Sequence, residues 1–275
     1  GLGADQDMRP FIYLTVDGRG EGRFELPGSF VGKKGTYLID QHEDGGGNGA
    51  VFRASVRGTG AKVAIKLQRI LTPVRRARFD NEIRIQSELR HPGVAELLDS
   101  GFAKLGQFDV PWSVIELGGG NLRDHVERMG PVESGRIRDI AAEMASALEH
   151  LHSKDIIHRD LKPANFVWKL NGYGVLMIDF GIAKHIGEDI DGRYYRDLTG
   201  SNEFIGAQNF YSQELLAYAA DKSSLVDQRS DIFQLGKVIW FCATGHVSMG
   251  TPDADDCPLG GRLHAIVAKC LLDKR

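Results

Sequence analysis

At Gly118-Gly119-Gly120 the hydrophobic pattern of this 275-residue chain changes its period. Before that point, Val63-Ala64-Ile65-Lys66-Leu67 alternates strictly, which puts Val63, Ile65 and Leu67 on one face of a strand and Ala64 with Lys66 on the other. After it, Ile137, Ile140, Ala141, Met144, Ala147, Leu148 and Leu151 recur at three- and four-residue intervals, which predicts an amphipathic helix over Arg136 to His152. Ile232 to Cys242 is apolar nearly all round and predicts a helix buried in a core. Strands first and helices afterwards make an α+β chain in two lobes, with a cleft expected at the glycine joint.

Smaller signals fill in the strand-rich part. Phe11-Ile12-Tyr13-Leu14 and Phe24-Glu25-Leu26 flank Asp17-Gly18-Arg19-Gly20 and read as a hairpin. Tyr37 to Ile39 and Val51 to Val56 read as strands around Gly45-Gly46-Gly47-Asn48-Gly49. Arg76 to Arg90 is rich in helix formers and ends at the breaker His91-Pro92-Gly93, beyond which Val94 to Leu98 and Trp112 to Leu117 are apolar.

Composition excludes several classes. Lys and Arg number 34 against 37 Asp and Glu, so the net charge is −3, giving no reason to expect nucleic acid or a membrane surface as a partner. The 42% hydrophobic and 26% charged residues rule out a disordered or fibrous chain. Cys242, Cys257 and Cys270 form no C-x-x-C pair, which supports neither a disulfide framework nor a zinc site and makes a reducing cytoplasm the expected setting. No run approaches the roughly 18 apolar residues of a membrane span.

Three stretches carry chemistry. Asp44-Gly45-Gly46-Gly47-Asn48-Gly49-Ala50-Val51, taken alone, is either a flexible turn between strands or a phosphate cradle. Lys66 beside the small Ala64 offers an ammonium to phosphates and space for a flat base, although a lone strand lysine also suits solvent. His158-Arg159-Asp160-Leu161-Lys162-Pro163-Ala164-Asn165, followed by Asp179-Phe180-Gly181, is far more specific. Asp160 can accept a proton from an incoming hydroxyl, Lys162 can neutralise a transferring phosphoryl group, and Asn165 and Asp179 offer hard oxygens suited to magnesium.

With these residues in order, the chain from about Tyr37 onward resembles a eukaryotic-type (Hanks-type) Ser/Thr protein kinase domain. The Gly-rich run and Ile182-Ala183-Lys184 look like the bacterial branch. The resemblance implies a bilobal protein-kinase-like fold: an N-terminal extension with a hairpin over 1–36, an N-lobe with one main helix over 37–117, and a mainly helical C-lobe over 118–275, shortened near its C-terminus. It implies ATP and Mg2+, a protein substrate, autophosphorylation, no nucleic acid and no membrane segment. The implied catalytic residues are Asp160, Lys162, Lys66 and its helix partner Glu82. Nucleotide contacts are implied for Gly46, Gly49, Val51, Ala64, Lys66 and Val167, and for backbone groups of Glu116 and Leu117; Asn165 and Asp179 are the implied metal ligands. Asp231, which also suits a helix N-cap, matches the aspartate that braces the catalytic loop.

Gly206 to Glu214 resembles the end of an activation segment. Before it, Thr199 and Ser201 are the expected phosphorylation sites, with Arg159 as the cation that would pair the added phosphate. Several positions depart from the family pattern: Glu43 and Asp44 in the glycine loop, Gln86 at a usually apolar helix position, Ala207 for threonine and Gln213 for proline. Gly245 to Leu263 is short and turn-rich where the family has a further helix, and Arg275 is the candidate partner of Glu214. The departures leave two rival readings, a pseudokinase acting as a nucleotide-binding or scaffolding module and a small-molecule phosphotransferase on the same fold. Retention of Lys66, Glu82, Asp160, Asn165 and Asp179 speaks against the first; D-F-G and Ser212-Gln213-Glu214 speak against the second.

Overall fold

A computed structural model describes residues 10–16, 19–43, 49–186, 208–221, 226–248 and 260–272. Its contacts divide it into two compact units. One holds residues up to Ser87 with Glu96–Leu117, and the other holds Glu88–Ala95 with Gly118 onward.

The first unit is built on β-sheet. β1 (Phe11–Val16) and β2 (Arg19–Glu25) form the expected antiparallel hairpin, whose tip at 17–18 lies outside the described residues. β3 (Phe30–Val31), β4 (Thr36–Glu43), β5 (Gly49–Val56), β6 (Lys62–Gln68), β9 (Phe108–Glu116) and β8 (Leu97–Leu105) lie side by side in that order in a six-stranded sheet. β7 (Ile70–Leu71) pairs parallel with β1, a link that joins the hairpin to the chain after the sheet's central strand. Ile12, Leu14, Leu26 and Phe30 share one buried cluster with Phe52, Ile65, Leu67 and Trp112, so hairpin and sheet have a common core.

α1 (Pro73–Glu88) begins three residues before the expected Arg76. Thr72 explains the early start: its Oγ1 accepts from the Arg75 amide, and Pro73 suits a first turn where no amide partner is needed. The helix buries Phe79, Glu82, Ile85 and Gln86, so the polar Gln86 does occupy an interior position.

The second unit opens with β10 (Gly118–Asn121) and α2 (Leu122–Met129), which Asn121 caps by accepting from the Asp124 amide at 2.8 Å. α3 (Ser134–His152) follows the predicted periodicity, burying all seven of the residues that define it. β11 (Ile156–Ile157) leads into an irregular loop that ends in a 3-10 turn at Pro163–Asn165. β12 (Phe166–Lys169) and β13 (Val175–Met177) then form a small sheet with β10, and β14 (Lys184–His185) returns to β11.

α4 (Gln213–Asp221), α5 (Gln228–Thr244) and α6 (Gly261–Cys270) complete the described unit. Asp227 caps α5, and Gly245 ends it at φ 79°, a left-handed turn that glycine adopts without strain. α5 is buried along most of its length as expected, but Ile232 is 41% exposed and the buried face includes polar Ser230, Asp231 and Gln234.

Candidate active site

In the first unit the strand pleat decides which side chains meet. Val51 is the cross-strand partner of Lys66 on the β5–β6 ladder, and Ala64 lies two residues from Lys66, so Val51, Ala64 and Lys66 share one face. Phe52, Val63, Ile65 and Leu67 turn to the other face and into the core. Gly49 precedes them on the same side; a Cβ there would lie 3.4 Å from Lys66 side-chain carbons and 3.3 Å from the Leu67 carbonyl oxygen.

Glu82 meets this face from α1. Lys66 Nζ donates to both carboxylate oxygens of Glu82, at 2.7 and 2.8 Å, with the two side chains only 22% and 11% exposed. A half-buried lysine held by a carboxylate is a fixed positive charge of the kind that meets a phosphate. At the end of β9 the Glu116 amide donates to the Glu96 carbonyl at 2.9 Å. The expected adenine contacts at Glu116 therefore reduce to those its carbonyl can accept. Leu117 is buried at the end of this unit, and Gly46 lies outside the described residues, as does Asp44.

The second unit assembles the H-R-D loop over the start of α5. Asp231, wholly buried, accepts from the amides of His158 and Arg159 at 2.8 Å each and is 2.9 Å from His152 Nε2. One turn on, Gln234 Oε1 accepts from the Leu161 amide at 3.2 Å. The brace expected at Asp231 is thus present, and Gln234 extends it. A glutamine three residues after an aspartate, inside the mostly apolar run from Ile232 to Cys242, is the available sign, since interior polar groups need partners.

This brace holds Arg159 at φ 69°, a conformation that non-glycine residues seldom adopt, and Asp179 has φ 67°. Both strained residues sit in the two motifs that carry the chemistry. Burial pushes His158 below the usual histidine range even though Asp231, Asp160 and Asp179 favour its charged form, so a neutral ring underlies the loop.

Lys162 Nζ donates to Asp160 Oδ2 at 2.8 Å, and the Tyr211 hydroxyl donates to Oδ1 at 3.2 Å. Asn165 Nδ2 donates to the Asp160 carbonyl at 2.7 Å, and the Asn165 carbonyl accepts from Ile178, the residue before Asp179. The loop and the D-F-G segment are therefore tied together at Asn165. With its amide nitrogen on Asp160, Asn165 keeps an oxygen as its metal-binding group, and Asp179 adds a half-buried carboxylate. Among the described residues no group of three or more His, Cys, Asp or Glu could hold a metal ion. Two hard oxygen ligands nevertheless suit magnesium, which takes few protein ligands and completes its shell with water and phosphate oxygens.

Val167 lies on β12 against β10, where a Cβ on Gly118 would come within 2.3 Å of Val167 Cγ2. Only glycine fits there. Arg159 does not present its guanidinium to solvent: it is 1% exposed, and its Nε and Nη2 donate to the Ile182 carbonyl. Thr199, Ser201, Ala207 and Arg275 lie outside the described residues. Gln213 is exposed at the first position of α4, where the family's proline would also fit, so this departure leaves the helix start intact.

The family described as the protein kinase domain matches this chain over residues 44–257. A probable serine/threonine-protein kinase of Corynebacterium efficiens is 32% identical over 220 residues, covering 76% of this chain and 32% of that protein. Serine/threonine-protein kinase PknB of Mycolicibacterium smegmatis is 32% identical over 218 residues, covering 76% and 33%. Serine/threonine-protein kinase pkn3 of Myxococcus xanthus is 32% identical over 224 residues, covering 78% and 39%. The chain thus spans between about a third and two fifths of the length of these relatives. A braced H-R-D loop tied to D-F-G, a lysine held by a helix glutamate on a sheet face, and a family match across both units lead to one identity: this chain belongs to the protein kinase domain family, in its bacterial Hanks-type branch.

Proposed function

We propose that the chain is an ATP-dependent Ser/Thr protein kinase that transfers the γ-phosphoryl group of ATP to hydroxyls of a protein substrate, itself included. The observation that carries this reading is the Asp160 carboxylate, only 10% exposed and paired with Lys162 on one oxygen. Asp160 takes the proton as the acceptor oxygen attacks phosphorus, and Lys162 neutralises the phosphoryl oxygens as the bond to ADP breaks. Lys66, held by Glu82, anchors phosphates. The proposed nucleotide contacts are Gly46, Gly49, Val51, Ala64, the Glu116 carbonyl and Leu117 of the first unit and Val167 of the second. Asn165 and Asp179 would hold magnesium, which supplies charge neutralisation at the phosphates.

The proposed organisation is a hairpin-bearing extension over 1–36, an N-lobe over 37–117 and a C-lobe over 118–275. Among the described residues no helix is long and apolar enough to cross a membrane, and the cytoplasm, with its ATP and reducing conditions, is the proposed setting. Thr199 and Ser201 are the proposed regulatory acceptors. Arg159, whose Nε and Nη2 donate to the Ile182 carbonyl, is the proposed cation for their phosphate.

Phosphoamino-acid analysis after incubation with labelled ATP and magnesium tests the substrate class. Label on serine or threonine agrees with the reading. Label confined to tyrosine, or to a small molecule, refutes it.

A further inference from the structure

Tyr211 is a side chain that sequence pattern alone does not single out. It follows the 3-10 turn at Gln208–Phe210 and precedes α4. Its ring is 4% exposed and packs with Ile182 and Leu215 in a small cluster of its own, flanked by Tyr218 and Val226. Its hydroxyl donates to Asp160 Oδ1 at 3.2 Å, while Lys162 Nζ donates to Oδ2 at 2.8 Å. Each oxygen of the carboxylate thus has its own donor, and the plane of the group is fixed from both edges. Asn165 Nδ2 also lies 3.5 Å from Oδ2, and since a carboxylate offers about four lone-pair sites, the capacity left for an incoming hydroxyl is on Oδ1.

We infer that Tyr211 is a positioning residue for phosphoryl transfer, holding Asp160 in the orientation in which it receives the acceptor's proton. The inference rests on the reading of Asp160 as the base. During transfer the acceptor oxygen bonds to the γ-phosphorus, the bond from phosphorus to the ADP oxygen breaks, and the acceptor's proton moves to Asp160. The Tyr211 hydroxyl keeps its own proton throughout and serves as a standing donor.

The same bond admits an opposite role, in which the phenol occupies the acceptor's place and blocks the base. Burial decides between them. The ring is clamped on its flanks by Ile182, which directly follows D-F-G, and by Leu215 of α4, so the hydroxyl is built into the loop's support and does not swing in from outside. Ala207 stands where the family pattern has threonine, and Tyr211, four residues later, is the hydroxyl of this stretch that reaches Asp160.

The test compares wild type, Tyr211→Phe and Asp160→Ala. Phenylalanine keeps the ring and its packing and removes only the donor. Loss of a hydrogen bond to a charged group predicts a kcat about tenfold lower, with KM for ATP within about twofold and a melting temperature lower by only a few degrees. A purely structural role would leave kcat alone, and a blocking role would raise it; either result overturns the inference. A second readout does not depend on transfer. The tyrosine doublet in ultraviolet resonance Raman, isolated by subtracting the Tyr211→Phe spectrum, should report a phenol donating in wild type and should change in Asp160→Ala. An unchanged doublet overturns the inference. A wild-type protein that transfers no phosphoryl group refutes the reading of Asp160 as base, and the Raman comparison alone then decides whether Tyr211 holds this carboxylate.

Discussion

Removing the Asp231 carboxylate should unfold the catalytic loop before it affects anything else. The wholly buried carboxylate accepts from two buried amides at 2.8 Å and lies 2.9 Å from His152 Nε2. A hydrogen bond to a charged acceptor contributes about 1.5–3 kcal/mol, and a buried donor left without a partner forfeits a similar amount. Two amides therefore put Asp231→Ala at about 3–6 kcal/mol of destabilisation. Asp231→Asn keeps one acceptor oxygen but turns an amino group toward a donor, so about 2–4 kcal/mol is expected. The brace also holds Arg159 in its left-handed conformation at φ 69°, so strain now balanced by the two bonds would relax by letting the loop move. Urea unfolding followed by the fluorescence of Trp168 and Trp240, with hydrogen exchange of the His158 and Arg159 amides, measures both effects. A loss below about 1 kcal/mol in Asp231→Ala, with those amides still protected, would refute the reasoning.

Other parts of the chain give independent checks. Glu82→Gln removes the charge that holds Lys66 at 2.7 Å and should lower the rate of transfer about tenfold or more, while Lys66→Met should lower it at least about a hundredfold; steady-state kinetics with ATP reads both. Asp99 accepts from the amides of Lys33, Lys34 and Ser100 and from the Tyr37 hydroxyl; burial alone would raise its pKa, but these bonds hold it below the usual carboxylate range. Its contribution is present above the ordinary value of 3.8 and disappears as pH falls through the lowered one, so Asp99→Asn should be less stable at pH 7 and lose less on acidification, as equilibrium unfolding at pH 7 and pH 3 would reveal. Burial pushes the Cys242 thiol from 9.0 up to about 12, so the unfolded chain loses that proton first as pH rises. Between pH 8 and pH 10 wild type should lose about 1.4 kcal/mol more stability than Cys242→Ala, and equal losses would contradict it.

The elements that were legible in the sequence are those whose pattern is local. Seven apolar residues spaced three and four apart mark α3, and the strict alternation from Val63 to Leu67 places Lys66 and Ala64 on the face opposite the core. The β8–β9 pair was visible only as two apolar stretches, because Asp99-Ser100-Gly101 interrupts β8 and a bulge between Leu97 and Asp99 shifts its register. Asp99 is polar inside a strand because it serves the turn at Lys33 and Lys34, 66 and 65 residues away. Parallel pairing of β1 with β7 involves only Thr15 and Val16 and has no local signature. The motif residues of the candidate site were legible because their types and order are specific, whereas Tyr211 supports Asp160 through a contact that no spacing predicts. Arg159 likewise has a partner that no spacing predicts, the Ile182 carbonyl that accepts from its Nε and Nη2.

The central claim, that Asp160 accepts the proton of a hydroxyl as ATP gives up its γ-phosphoryl group, is tested most directly by single-turnover transfer. Wild type and Asp160→Ala would each be mixed with labelled ATP and magnesium, with ATP binding measured separately in both. Label should appear on serine or threonine in wild type, with transfer at least about a hundredfold slower in Asp160→Ala and ATP affinity within a few-fold of wild type. Equal transfer in the two proteins would contradict the assignment of Asp160, and ATP binding without transfer in wild type would contradict the claim that this chain is a working kinase.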